Sequence, residues 1–169
     1  YLSFFFGLVL IGLGSGYYHL DPSNSTLVGD RMAITITFMS FFVLILGESI
    51  STKTASRLLI PLIFLGLASV VYWNITETLG TGDLRFYALV QFLPMLLIPL
   101  MLLLYGSSLS GRRWGFVIIL VYGAAKIAEM YDKQIYDLID FSGHSLKHLI
   151  AGFGAFLFLK GLEVRKPKN

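Results

Sequence analysis

The chain has 169 residues, of which 56% are hydrophobic and only 14% are charged, and its formal net charge is +3. A soluble domain of this size carries about 25% charged residues, so the composition excludes an ordinary water-soluble fold and indicates a protein that resides in lipid. The absence of cysteine excludes disulfides, thiolate metal ligands and a cysteine nucleophile.

Six stretches are apolar enough, and long enough or nearly so, to cross a membrane, which takes roughly 20 residues in a helix. They cover residues 1–19, 32–50, 58–75, 86–105, 114–130 and 142–159. The fifth is the weakest, because Lys126 and Glu129 lie in its last turns, where a spacing of three residues lets them pair. The sequence therefore predicts an all-α polytopic membrane helix bundle with six spans, forming a single transmembrane domain over residues 1–169.

The connections between these stretches are short and rich in turn formers, at residues 21–24, 78–83 and 107–111. None can hold a soluble domain, and the chain has no internal repeat and no nucleotide-binding glycine loop. Residues 1–13 lack a preceding basic region and a small-residue cleavage site, which argues against a signal peptide. We expect them to belong to a membrane span that the sequence enters partway or just after a removed segment. The basic residues flank the spans, and nucleic acid is therefore not an expected partner.

The basic residues also predict the orientation, because Lys and Arg concentrate in cytoplasmic loops. One side of the predicted bundle carries Arg31, Arg85 and Lys133. The other carries Lys53, Arg57, Arg112, Arg113, Lys160, Arg165, Lys166 and Lys168. We therefore expect the second side, with the C-terminus, to be cytoplasmic.

All three histidines of the chain are predicted to lie on the non-cytoplasmic side. His19 ends the first span, and His144 and His148 open the sixth, so counting spans places them at a similar depth. The four-residue spacing of His144 and His148 puts both imidazoles on one helical face, as a shared ion requires. Three neutral imidazoles leave one position open on a tetrahedral zinc ion, which is typical of a catalytic site.

Two more polar residues are predicted beside the histidines. Ser15 lies one turn before His19 on the same face, and Asp30 opens the second span after a ten-residue connection. Zinc lowers the pKa of a bound water to about 7. We therefore assign Asp30 as the base that holds this water and accepts its proton, and Ser15 as a hydrogen-bond donor to the developing oxyanion.

Each of these residues also has a simpler interpretation. An intramembrane histidine often hydrogen-bonds a neighbouring helix, and Ser15 sits in a glycine-rich stretch that favours close helix packing. Asp30 and Arg31 can form an interfacial ion pair that contributes little. Lys147, near the histidine face, can approach a substrate headgroup, but extension of its ammonium to the interface is the expected role.

The pattern formed by these residues resembles that of a known superfamily. Ser15-x-x-x-His19, Asp30 eleven residues later and His144-x-x-x-His148 on the last span are similar to the motif of the CREST superfamily, which includes the alkaline ceramidases and the progestin and adiponectin receptors. Residues 14–20, 30–32 and 142–149 look most like bacterial members of the alkaline ceramidase branch. The resemblance covers nearly the whole chain.

The resemblance implies a seven-helix membrane hydrolase that cleaves a lipid amide. It implies zinc ligands at His19, His144 and His148, a base at Asp30 and an oxyanion partner at Ser15. The six predicted spans leave the first helix of the family without a counterpart, and the acidic calcium site of the ceramidases has none either. In addition, a glycine precedes Asp30 where bacterial relatives often have tryptophan.

These observations together predict a zinc-dependent intramembrane hydrolase of the bacterial inner membrane. Its expected partner is a ceramide-like or other N-acyl lipid that enters from the bilayer. The alternative is a receptor-like or sensor membrane protein with a structural zinc site. A transporter is a weaker third class, because transporters usually show paired repeats with broken helices.

Overall fold

The computed structural model describes residues 1–105 and 113–165, which form helices joined by short turns, with no strand in these two ranges. The helices are α1 (Leu2–Leu20), α2 (Asn24–Ser49), α3 (Thr52–Thr78), α4 (Arg85–Leu104), α5 (Arg113–Met130), α6 (Asp132–Ile139) and α7 (Gly143–Val164). All six predicted stretches are helical, which confirms the all-α prediction. The predicted connection at residues 107–111, with Arg112, Lys166 and Lys168, lies outside the described residues.

The described helices are consistent with an integral membrane protein, but the predicted number of spans is matched only approximately. Among the described residues, α1, α2, α3, α4 and α7 are each long and apolar enough to cross a membrane. The short helix α6 was not predicted, and it follows α5 at a bend of 79°. The count is therefore five spans, or six if α5 and α6 together form one broken span. Alone, α5 is not counted as a membrane span, because it contains three charged residues, Arg113, Lys126 and Glu129.

The chain divides into two compact units, Tyr1–Tyr105 and Gly106–Asn169. In the first unit, α2 is the central helix and contacts α1, α3 and α4. More buried residues of this unit belong to α2 than to any other helix, and all but Thr26 lie from Ala33 to Glu48. In the second unit, α5 packs along α7, and α6 contacts both.

Glycine residues allow α1 to pack closely on α2. A Cβ atom added at Gly14 would lie 3.1 Å from Cα of Asp30, and one at Gly7 would collide with Thr37. By contrast, an added Cβ at Gly12 or Gly16 would meet nothing within 4 Å. The two helix backbones therefore approach each other at Gly7 and Gly14, as small residues permit in membrane helices.

The second helix begins earlier than the hydrophobic pattern predicts. Ser23 is its N-cap: the Ser23 side chain accepts a hydrogen bond from the Thr26 amide, while the Thr26 side chain accepts one from the Ser23 amide. This reciprocal pair is a capping box. The prediction that Asp30 opens the second span after a ten-residue connection is therefore wrong, because Asp30 lies in the second turn of α2.

The turn between α3 and α4 is fixed by local hydrogen bonds and by two glycines with positive φ, Gly80 and Gly82. The Asp83 carboxylate accepts hydrogen bonds from Nε and Nη2 of Arg85, at 2.9 Å and 2.7 Å. These bonds, together with one from the Arg85 amide, hold the pKa of Asp83 well below its usual range. Asp83 is therefore ionised at neutral pH.

Candidate metal centre

His144 and His148 form a close pair in the first two turns of α7. The helix begins after Ser142, whose hydroxyl accepts a hydrogen bond from the Ser145 amide. The Nε2 atoms of His144 and His148 lie 3.2 Å apart. Two nitrogens bound to one tetrahedral zinc ion at about 2.0–2.1 Å are about 3.3–3.4 Å apart. The pair therefore has the separation that a shared metal ion requires.

The start of α7 is held by Asp132, which the sequence analysis did not identify. Its Oδ1 atom accepts hydrogen bonds from the Ser142 hydroxyl and from the His144 backbone amide, both at 2.8 Å. Gly143 packs directly on Ala128 and Asp132, with no space for a side chain. Asp132 thus satisfies an amide that has no acceptor inside the helix, and it fixes the backbone that carries His144. No local sequence pattern predicted this contact, because Asp132 lies ten residues before Ser142.

Lys147 is part of a charged cluster with Glu129 and Lys126. Glu129 accepts hydrogen bonds from Lys126 at 2.6 Å and from Lys147 at 2.8 Å. The predicted Lys126–Glu129 pair is confirmed, but Lys147 is tied to α5 rather than extended to the interface. Its Nζ atom also lies 3.4 Å from Nδ1 of His144, on the side of the ring opposite to the nitrogen that faces His148.

The other predicted site residues belong to the first unit. His19 is in the last turn of α1 and is exposed, with its ring centre 5.3 Å from that of Tyr18. Ser15 lies one turn earlier and is 8% exposed. The close approach of α1 and α2 at Gly14 brings the backbone of Asp30 beside the residue that precedes Ser15. The α1–α2 packing therefore sets the positions of both Ser15 and Asp30.

The three histidines make up a group that fits a metal ion. His19, His144 and His148 each offer one ring nitrogen, and these nitrogens all lie within 4.8 Å of one another. In the described part of the chain, this group of candidate ligands contains histidines alone, without a carboxylate. The predicted metal ligands are thus close enough to bind one ion, while Asp30 is not one of the ligands.

Comparison with known proteins adds no relative: no protein family, no curated protein and no solved structure matches this chain.

Proposed function

We propose that this protein is a zinc-dependent intramembrane hydrolase that cleaves an amide bond in a lipid, with an ester as the second substrate class. The observation that supports it most strongly is the group of three imidazole nitrogens within 4.8 Å of one another. The resemblance of Ser15, His19, Asp30, His144 and His148 to the motif of the alkaline ceramidases supports the same reaction class.

The ligand set fits zinc in its chemistry. Imidazole is a good ligand for zinc, whereas calcium and magnesium prefer oxygen ligands. Three histidines occupy three of the four tetrahedral positions, which leaves one for water or substrate, as catalytic zinc sites require. His19, His144 and His148 would hold the ion, and Asp132 would keep His144 in place through its backbone amide.

A zinc ion at this position supplies a Lewis acid and water that is acidic enough to ionise near neutral pH. Asp30 accepts the proton of the attacking water and passes it to the leaving amine, which is general base and then general acid catalysis. The Ser15 hydroxyl donates a hydrogen bond to the substrate carbonyl oxygen as negative charge develops there. The rigid packing of α1 on α2 keeps these two groups in one arrangement, so little reorganisation is needed during the reaction.

The proposed substrate is a ceramide-like or other N-acyl lipid that reaches the site laterally from the bilayer. The loop charges support an orientation with the histidines towards the non-cytoplasmic side and the C-terminus in the cytoplasm. A lipid entering from the membrane presents its amide near the headgroup boundary, which is where polar residues at the ends of spans lie. Hydrolysis needs no water-soluble cosubstrate other than water, and it needs no nucleic acid.

The roles of Asp30 and His148 can be separated by two variants, assayed for hydrolysis of ceramide in detergent micelles. We expect Asp30→Ala to retain zinc and to lose turnover by at least about 100-fold, the lower range for a general base. His148→Ala should lose both. Asp21→Ala is the matched control, since Asp21 is an exposed acid in the α1–α2 connection.

Normal turnover in Asp30→Ala would remove Asp30 from the mechanism. Bound zinc without turnover of any N-acyl lipid or ester in the wild-type protein would contradict a hydrolase and favour a receptor-like protein with a structural zinc site.

A further inference from the structure

Arg31 presents an unusual environment for a cation in a membrane helix. It lies in the second turn of α2, and its guanidinium carbon is 3.8 Å from the ring centre of Trp73 and 5.1 Å from that of Tyr87. Both rings are buried, with exposed fractions of 2% and 8%. Stacking on aromatic faces stabilises the cation and leaves the edge of the guanidinium, which carries its N–H groups, available for hydrogen bonds.

One N–H group of this edge has no acceptor among the residues that the structure describes. Nη1 of Arg31 is buried and has no hydrogen-bond partner within residues 1–105 and 113–165. The ion pairs of Asp83, Glu129 and Glu163 in the same ranges do not include Arg31. A buried donor without an acceptor costs free energy, which an external acceptor would recover.

Two carboxylates lie near Arg31. Glu77 and Asp30 interact electrostatically with the guanidinium, and Oε1 of Glu77 accepts a hydrogen bond from Nδ2 of Asn24 at 2.9 Å. Their negative charge lowers the attraction of this region for a multiply charged anion. A ligand with a single negative charge, such as a phosphodiester or singly ionised phosphate, therefore fits better than a dianion.

The depth of Arg31 suits a lipid phosphate. Arg31 is seven residues after the start of α2, which corresponds to about 10 Å along the helix. The 26 residues of α2 span about 39 Å, more than the roughly 30 Å of the hydrocarbon layer. The first turns of α2 thus extend into the headgroup region, where a half-buried arginine can reach phosphate oxygens.

We propose that Arg31, stacked on Trp73 and Tyr87, is a binding site for a singly charged phosphate group. Two N–H groups of the guanidinium donate to two phosphate oxygens, the bidentate geometry that arginine favours. Singly charged phosphate oxygens are common to a phospholipid headgroup and to free phosphate, but only the phospholipid phosphate is esterified and linked to acyl chains. None of these three residues is a candidate metal ligand.

The test measures binding to the purified chain in neutral detergent by native mass spectrometry and by the shift in thermal midpoint. The probes are phosphatidylglycerol, diacylglycerol with the same acyl chains, and inorganic phosphate. Arg31→Gln removes the site, and Arg85→Gln is the matched control, because Arg85 is 90% exposed and is already paired with Asp83. Arg31→Lys keeps the charge but loses the planar fork.

We expect phosphatidylglycerol to bind the wild-type protein and Arg85→Gln equally, and Arg31→Gln at least about tenfold more weakly, as expected for charged hydrogen bonds. If Arg31→Gln does not fold, a severalfold loss in Arg31→Lys supports the same conclusion. Binding of inorganic phosphate that depends on Arg31, and that competes with the lipid, would identify free phosphate as a ligand of the site. Equal binding of diacylglycerol and phosphatidylglycerol, or equal losses in Arg31→Gln and Arg85→Gln, would overturn the proposal.

Discussion

The histidine pair on α7 depends on residues that are not themselves ligands. The backbone of His144 is fixed by Asp132, and Lys147, which follows on the next turn, is drawn to Glu129. Glu129 thereby forms an ion pair with the Lys147 ammonium group, which lies beside the His144 ring. A metal site on a helix end needs this kind of support, since small shifts of a ligand weaken binding.

Asp132→Asn provides a test of this support. The amide oxygen can still accept both hydrogen bonds, but these bonds lose the contribution of the negative charge, so the first turn of α7 should loosen. We expect faster hydrogen exchange at the His144 amide and about tenfold weaker zinc binding, the lower end for residues that orient a ligand. The control is Asp137→Asn, because Asp137 is an exposed acid on α6, the helix that contains Asp132. Unchanged exchange at His144 would show that Asp132 does not hold this helix start.

At the residue scale, contacts within one helix could be predicted from the spacing of residues in the sequence, whereas contacts between helices could not. The i,i+3 spacing of Lys126 and Glu129 predicted their pair, and the i,i+4 spacing of His144 and His148 predicted a shared face. The contact of Lys147 with Glu129 and that of Asp132 with the start of α7 depend on how α5, α6 and α7 pack. Local periodicity contains no information about such packing.

At the scale of helices, the α1–α2 pair is the element that positions Ser15 and Asp30. Its close approach is set at Gly7 and Gly14, seven residues apart on α1, whereas Gly12 and Gly16 face open space. The glycine-rich stretch around Ser15 was considered as a packing feature in the sequence, and the structure assigns that role to Gly14 in particular. Ser15 itself is buried beside it.

Single alanine substitutions along α1 should separate these roles. Gly12→Ala and Gly16→Ala should stabilise the protein by about 0.5–1 kcal/mol, because alanine is the better helix former. Gly14→Ala should destabilise it by about 1–3 kcal/mol through overpacking, since the atoms in its way are backbone atoms of Gly29 and Asp30. Denaturation curves in one detergent provide the comparison. Equal stability of the Gly14→Ala and Gly12→Ala variants would contradict this packing.

The ends of the helices were harder to predict from the sequence than their presence. Hydropathy marks the part of a helix that lies in the hydrocarbon, but α2 continues for two turns beyond it, starting at the Ser23 capping box. The polar residues of these turns, including Asp30 and Arg31, were therefore assigned to a connection or a span entrance. The same reasoning missed α6, whose eight residues include Asp132, Lys133, Gln134 and Asp137 and so do not form an apolar run.

At the scale of the whole chain, composition was a reliable guide. Few charges and a large apolar fraction predicted a membrane protein, and the described helices have the length and composition to cross a bilayer. The number of spans could not be settled in this way, because α5 has charges near both ends and is followed by a sharp bend. His19 lies more than 120 residues before His144 and His148 in sequence, yet the three form one group of candidate ligands, as predicted.

The central claim is that His19, His144 and His148 bind one zinc ion. The most direct test is metal analysis of the purified wild-type protein and of His144→Ala, with folding of the variant checked by circular dichroism. We expect about one zinc ion per chain in the wild-type protein, as a three-histidine site implies, and little or none in the variant. A wild-type protein that binds no zinc when it is supplied, or a folded His144→Ala variant with undiminished zinc, would contradict this account.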